Sequence, residues 1–201
     1  MDLFDSKRPR NLLPHDGEAY YFGPIVTEAQ ADAYFNALMS EISWQHDRLT
    51  LFGKKIVTRR EVAWHGDAPF AYTYSHSTKT ARAWTPALRD LKQHVQAASG
   101  ATFNCCLLNL YHSGEEGMAW HADDEKELLK HGAIASISLG PARRFVLRHK
   151  QDKQKCEVVL ENGSMLLMQG TTQTHWEHSL PVMKRVTRPR INLTFRTIVE
   201  N

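Results

Sequence analysis

The chain has 201 residues, 42% of them hydrophobic and 23% charged, with a formal net charge of +3. That is enough for one domain with a sizeable core and ordinary for a soluble globular protein; the charge is too small to declare a nucleic-acid partner by itself. No apolar run approaches the roughly 20 residues needed to span a bilayer, and three cysteines, two of them adjacent, form neither a disulfide framework nor a Cys-x-x-Cys site, which points to a reducing compartment.

Residues 1–26 read as a tail and irregular approach, punctuated by Pro14, Gly17, Gly23 and Pro24. Met1-Asp2-Leu3-Phe4-Asp5 lacks a signal-peptide pattern, and Lys7-Arg8-Pro9-Arg10 is a short basic patch. A helix is predicted from Thr27, whose hydroxyl can cap it while Gln30 completes a capping box. Tyr34, Phe35, Leu38, Met39 and Ile42 give that helix an apolar stripe for the core. Residues 49–75 read as short strands and loops. A second helix starts after Thr85 with Pro86 in its first turn, buries Leu88, Leu91 and Val95, and stops at Gly100. From Phe103 onward the texture is strands, expected at 103–111, 133–139, 144–149, 156–160, 164–169 and 189–198. Two helices followed by many strands make an α+β domain over 27–201, divided at about residue 100.

Within the strand-rich half, His121-Ala122-Asp123 and the distant His178 offer two imidazoles and a carboxylate, the ligand set of a non-haem Fe(II) oxygenase. On an extended strand, residues i and i+2 point to one face, so His121 and Asp123 can grip one ion while His178 arrives from another strand. His-x-Asp also arises by chance, so its context matters. In Arg190-Ile191-Asn192-Leu193-Thr194-Phe195-Arg196 the alternation is strict: Arg190, Asn192, Thr194 and Arg196 share one face, Ile191, Leu193 and Phe195 the other. Buried guanidiniums need an anionic partner, and their planar fork suits a carboxylate; a solvated edge strand is the alternative. Asn109 and Tyr111, again i and i+2, add further donors. A triad with such a cluster implies 2-oxoglutarate as co-substrate beside Fe(II) and O2.

These segments together resemble the AlkB family of 2-oxoglutarate/Fe(II)-dependent nucleic-acid dealkylases, over a stretch from residue 44 to the C-terminus. The similarity is greatest to the branch that prefers duplex DNA. It is carried by Leu51-Phe52-Gly53, Gly66-Asp67, Tyr72-Thr73-Tyr74-Ser75, Asp123-Asp124-Glu125 and His178-Ser179-Leu180-Pro181-Val182. The resemblance implies a double-stranded β-helix, or jelly roll, in 101–201, buttressed by the helices and nucleotide-recognition hairpins of 27–100. It implies Fe(II) on His121, Asp123 and His178. Asn109, Tyr111, Asn192 and Thr194 would line the 2-oxoglutarate pocket, with Arg190 on the far carboxylate and Arg196 nearer the triad. Ascorbate would serve as reductant in vitro. Leu51, Phe52, Gly53, Arg60, Tyr72, Tyr74, Ser75 and Glu125 would meet the nucleic acid.

Phe52 on its Gly-bounded turn would wedge into the gap left by a flipped base, unless it is a buried hairpin residue. Tyr72 and Tyr74, i and i+2 on one strand, would line the base pocket, or serve in packing. Glu125 would accept from an exocyclic amine, favouring cationic 1-methyladenine or 3-methylcytosine, and Asp124 would anchor a neighbouring arginine; both acids could equally belong to a solvated loop. The implied reaction is hydroxylation of an N-methyl carbon, after which the hemiaminal loses formaldehyde. Basic clusters at Lys54-Lys55, Arg59-Arg60, Arg143-Arg144, Arg148 to Lys155 and Lys184 to Arg190 would flank the site for phosphate. The segment from Lys150 to Lys155 is short, and Met183 stands where that branch has a basic residue, so single-stranded DNA or RNA is an alternative substrate. A further alternative is hydroxylation of a protein or small molecule. The expected protein is a monomer, away from membranes, in the cytoplasm or nucleoid of a bacterium or the nucleus of a eukaryote. The other histidines, among them His15, His65, His149 and His175, read as surface or packing residues.

Overall fold

The computed structural model describes residues 9–51, 54–74 and 77–199, with side chains described outside 47–56 and 71–79. The first element, β1 (Glu18–Pro24), lies in the stretch read from sequence as irregular. It is the edge strand of the large sheet, where Gly23 at φ 67 supplies a bulge and Pro24, at the end of the edge strand, is tolerated. The same Gly and Pro that punctuate loops therefore disguised a strand.

Helix α1 (Glu28–Glu41) is capped as its sequence dictates: the Thr27 side chain accepts from the Gln30 backbone, and Gln30 reaches back to the Thr27 N–H. Such a cap is worth about 1 kcal/mol. The helix buries Ala31 and Leu38, with Ile42 just beyond it. Tyr34 and Phe35 are half-buried, and Met39 is 38% exposed, so the expected stripe is narrower than predicted. One residue along a helix is a turn of about 100°, which carries Met39 away from the face of Leu38.

The hairpin β2 (Gln45–Leu51) and β3 (Lys54–Gly66) follows, then the two-stranded β4 (Ala71–Tyr74) and β5 (Ser77–Thr80). Helix α2 (Pro86–Ser99) matches expectation: Thr85 caps Leu88 N, Leu88, Leu91 and Val95 are fully buried, and Gly100 at φ 70 takes the left-handed cap. Burial of each of those side chains contributes about 1.5–3 kcal/mol. The Tyr34 hydroxyl donates to Asp90, joining the two helices.

The strands of the second half are β6 (Cys105–Tyr111), β7 (Met118–His121), β8 (Ile134–Leu139), β9 (Arg143–His149), β10 (Lys155–Leu160) and β11 (Ser164–Gln169). The short helix α3 (Thr172–His175), β12 (Trp176–Leu180) and β13 (Arg190–Arg196) complete the fold. The large sheet runs β1-β11-β8-β13-β6-β3-β2, and the smaller runs β10-β9-β12-β7; neighbouring strands are antiparallel throughout. Because β3 pairs with β6, the large sheet crosses the residue-100 division read from sequence.

The two faces of the large sheet meet different partners. One packs on the helices: Leu38, Leu88 and Leu91 share a core with Leu108, Ile137, Ile191, Leu193 and Phe195. The other meets the small sheet, where Tyr111, Phe145, Leu147, Met168, Trp176 and Leu180 form a second core. This is the α+β arrangement of two antiparallel sheets expected of a jelly roll buttressed by helices. Cys105 and Cys106 point into different cores, and all three cysteines are free thiols. Among the described residues no helix is long and apolar enough to cross a membrane.

Candidate metal and co-substrate site

The cleft between the sheets takes one face from β13. There Arg190, Asn192, Thr194 and Arg196 line the cleft, while Ile191, Leu193 and Phe195 are fully buried in the helix-side core. β13 lies between β8 and β6, so the solvated-edge alternative fails: its polar face is inside the protein. Register then assembles the cluster. Arg190 pairs with Tyr111 and Asn192 with Asn109 on one side, and Asn192 with Ser138 and Thr194 with Ser136 on the other. Arg190 Nη2 donates to Ser138 Oγ at 2.7 Å and to Asn192 Oδ1 at 3.0 Å. Ser136 also donates to Asn192 Oδ1, whose own amide donates to Thr194. The two serines, whose polar positions on β8 alternate with buried apolar ones, are functional candidates that the sequence reading overlooked.

Arg190 is 1% exposed, no carboxylate pairs with it among the described residues, and its Nε has no hydrogen-bond partner. Burial pushes its pKa down to about 10, with Arg143 adding to the effect and Tyr111 opposing it. The guanidinium lies over the Tyr111 ring, 5.7 Å from its centroid. An enclosed cation without an anion is costly, and the missing partner has the chemistry of a carboxylate.

The triad faces the same cleft from the opposite side. His121 ends β7 and pairs in register with His178 of β12, placing their rings 4.2 Å apart. Asp123 lies two residues past the end of β7, outside the strand, and is buried at the cleft. One ligand atom from each of His121, Asp123 and His178 falls within 4.8 Å of the others, as one ion requires. His121 Nδ1 donates to the Ala119 carbonyl at 2.9 Å, leaving Nε2 on the side of Asp123, 3.8 Å from its Oδ1. Phe145 stacks on His178 at 5.3 Å. Burial above all, then the neighbouring His121, pushes the His178 pKa down to about 3, against the pull of Asp123. His178 is therefore neutral, with a lone pair available for a metal.

Asp123 is held by two contacts. Its N–H donates to Gln173 Oε1 at 2.9 Å, and its Oδ2 accepts from Arg196 Nη2 at 2.8 Å. Burial works to raise its pKa, but the Arg196 guanidinium above all outweighs it and holds the carboxylate below its ordinary value. Asp124, expected to anchor an arginine, is exposed and makes no ion pair among the described residues; Asp123 has that role.

Two imidazoles and a carboxylate beside an unpaired guanidinium fit Fe(II) with 2-oxoglutarate. Arg60 and Glu125 line the same cleft, and Arg60 Nη1 donates to Met118 Sδ. Val62, Trp64, Leu107, Met118 and Phe145 supply its apolar wall. Leu51, Tyr72 and Tyr74 lie on β2 and β4, but their side chains, with Phe52, Gly53 and Ser75 altogether, fall outside the described residues. Arg143 departs from its reading as a phosphate contact: it is fully buried and donates to the Glu116 and Pro181 carbonyls at 2.8 and 2.9 Å. Arg144 beside it is exposed.

The family described as the 2OG-Fe(II) oxygenase superfamily matches residues 18–196. The chain is 37% identical to the human DNA oxidative demethylase ALKBH2, across 96% of this chain and 84% of that one. It is 42% identical to the mouse protein of the same name, across 93% and 83%. With the human alpha-ketoglutarate-dependent dioxygenase alkB homolog 3 it shares 36% identity, across 87% and 64%. A solved structure of OsALKBH1 superposes with a TM-score of 0.61 over 92% of this chain and 98% of that one, at 17% identity, which speaks for the fold alone.

Proposed function

Since the chain belongs to the 2OG-Fe(II) oxygenase superfamily and, within it, to the AlkB family, we propose that it is an oxidative DNA demethylase acting on 1-methyladenine and 3-methylcytosine. The observation that carries this reading is the cleft on which the His121, Asp123 and His178 ligand atoms and the unpaired Arg190 both open. His121, Asp123 and His178 would hold Fe(II), which with 2-oxoglutarate and O2 would supply C–H oxidation.

The rest is work for this chain's own side chains. Arg190 holds the far carboxylate of 2-oxoglutarate, steadied by Ser138 and Asn192. Tyr111, Asn109 and Thr194 complete the pocket from β6 and β13. Arg196 keeps Asp123 ionised and aimed. Phe145 fixes the His178 ring, and the apolar wall excludes bulk water. Glu125 and Arg60 meet the methylated base and its strand. Once the N-methyl carbon is hydroxylated, the hemiaminal loses formaldehyde without a protein nucleophile.

Duplex DNA is the preferred substrate on this reading, with Leu51-Phe52-Gly53 as wedge and Tyr72, Tyr74 and Ser75 around the extruded base. A second reading, single-stranded DNA or RNA, is favoured by the short link between β9 and β10, which offers few residues to grip an opposite strand. The protein acts as a monomer inside the cell, which suits its three free thiols. The test is formaldehyde release from oligonucleotides bearing either lesion, single- and double-stranded, with Fe(II), 2-oxoglutarate and ascorbate. Turnover requiring both iron and 2-oxoglutarate is the expected result, with Phe52→Ala losing more on duplex than on single strands. Slow 2-oxoglutarate decarboxylation with no formaldehyde from any oligonucleotide would leave the oxygenase and discard the substrate.

A further inference from the structure

Apart from the triad, a second group of metal-type donors gathers from segments distant in sequence. His149 ends β9, and the turn after it, with Lys153 at φ 63, swings Asp152 back onto it. His15 is delivered from the segment before β1, its carbonyl accepting from the Trp176 indole at 3.0 Å. His15 Nε2 stands 3.3 Å from Asp152 Oδ2, and His149 Nδ1 stands 2.9 Å from Asp152 Oδ1. Ligand atoms of the three residues lie within 4.8 Å of one another.

Three features separate this cluster from an incidental surface ion pair. His149 is 3% exposed, packed against the rings of His15 and Trp176, and among the described residues its Nε2 has no hydrogen-bond partner. Its Nδ1 lies 2.9 Å from Asp152 Oδ1 and 3.4 Å from the Asp152 backbone nitrogen. His15 Nε2, which also meets Gln154 Oε1 at 3.1 Å, reaches the other oxygen of that carboxylate, so two imidazoles share one acid. The outward nitrogens of both rings, His15 Nδ1 and His149 Nε2, converge on one carboxylate oxygen of Asp16, at 3.1 and 3.6 Å. A carboxylate behind a ligating imidazole is the usual second support of a metal-bound histidine.

We propose that His15, His149 and Asp152 form a second divalent-cation site, suited to Zn²⁺, with Asp16 orienting His15 and lying near His149. Nitrogen and carboxylate donors favour a first-row metal over Ca²⁺ or Mg²⁺. The side chains of His15 and Asp152 are 37% and 50% exposed, which leaves an entry path and room for water ligands. The ion fastens the segment before β1 to the β9–β10 turn. It sits at the start of β12, where Trp176 pairs with His149 two residues ahead of His178.

The site is tested apart from the triad in a His121→Gln/His178→Gln background, which removes the triad imidazoles and keeps the Asp123–Arg196 pair. Titration with Co²⁺ should give one equivalent with ligand-field absorption in the visible, displaced by Zn²⁺, and Zn²⁺ should raise the melting temperature. Adding His15→Gln or Asp152→Asn, both at accessible positions, should weaken binding by more than the about ten- to hundredfold that loss of an outer support costs. Asp16→Asn should weaken it by less than either. Absence of Co²⁺ binding in the double variant, or binding indifferent to His15 and Asp152, overturns the proposal. Neither result bears on demethylation.

Discussion

Arg196 Nη2 lies 2.8 Å from Asp123 Oδ2, and the two side chains are 4% and 5% exposed. The last residue of β13 thus fixes the carboxylate of the triad. Removing one member of a buried pair typically costs about 3–5 kcal/mol, because the survivor is left charged in a poor solvent. Arg196→Met should therefore destabilise the metal-free protein by that order. A divalent cation at the triad supplies positive charge to Asp123, so Mn²⁺ should recover much of the loss in urea denaturation. Equal losses with and without Mn²⁺ would make Arg196 a packing residue rather than the support of a ligand.

Arg190 has the opposite problem, a buried cation whose anion, on the function proposed above, is the co-substrate. Arg190→Met should raise KM for 2-oxoglutarate by about thirtyfold or more, from a loss of at least about 2 kcal/mol. KM for the methylated oligonucleotide should hardly move. Arg190→Lys should recover only part, because a single ammonium cannot hold Ser138, Asn192 and a carboxylate as the planar fork does. A rise in both KM values together would place Arg190 in general folding of the cleft.

Much of this was legible in the chain. The period-2 alternation of residues 190–196 gave both faces of β13, and Thr27 and Thr85 gave both helix starts, because caps and strand faces are local. The triad was legible by donor type, although Asp123 sits past the strand rather than on it. What stayed hidden was non-local. β1, interrupted by Gly and Pro, pairs with β11 from a stretch read as irregular, while β7 and β12 were expected only as the strands carrying His121 and His178, without their bounds or their pairing. Ser138 became a support for Arg190 only through β8–β13 register, and Arg143 looked like a surface base because sequence does not show three separated carbonyls converging.

His65 provides a pH test away from both metal clusters. It is 4% exposed and donates from Nδ1 to the Ala83 carbonyl at 2.7 Å, while its Nε2 has no hydrogen-bond partner among the described residues. Burial holds its pKa below the ordinary 6.5; Arg82 adds to this and the Ala83 bond opposes it. Below that ordinary value the unfolded chain takes up a proton that the folded chain refuses. Stability from this group is thus present above 6.5 and is lost as pH falls towards the lower folded-state value. His65→Gln keeps a donor for Ala83 and cannot titrate, so its urea midpoint should fall less than the parent's on acidification. Parallel curves would show that His65 protonates freely in the folded state.

Arg143 separates a basic residue that holds the fold from one free to touch phosphate. Its guanidinium is fully buried and donates to the carbonyls of Ser113, Glu116 and Pro181. It thereby ties the loop before β7 to the end of β12. Arg143→Met should strand those carbonyls and destabilise the protein by about 1–3 kcal/mol. The dependence of DNA affinity on salt should not change, since no phosphate contact is lost. Arg144, exposed and only loosely paired with Glu157 at 3.6 Å, should behave in the reverse way. Arg144→Ala should leave the urea midpoint in place, because exposed pairs contribute about 0–1 kcal/mol. If Arg144 meets the backbone, its removal lowers the salt slope by close to one counterion. A shallower slope for Arg143→Met, in protein shown to be folded, would return that residue to the phosphate-binding role its sequence suggests.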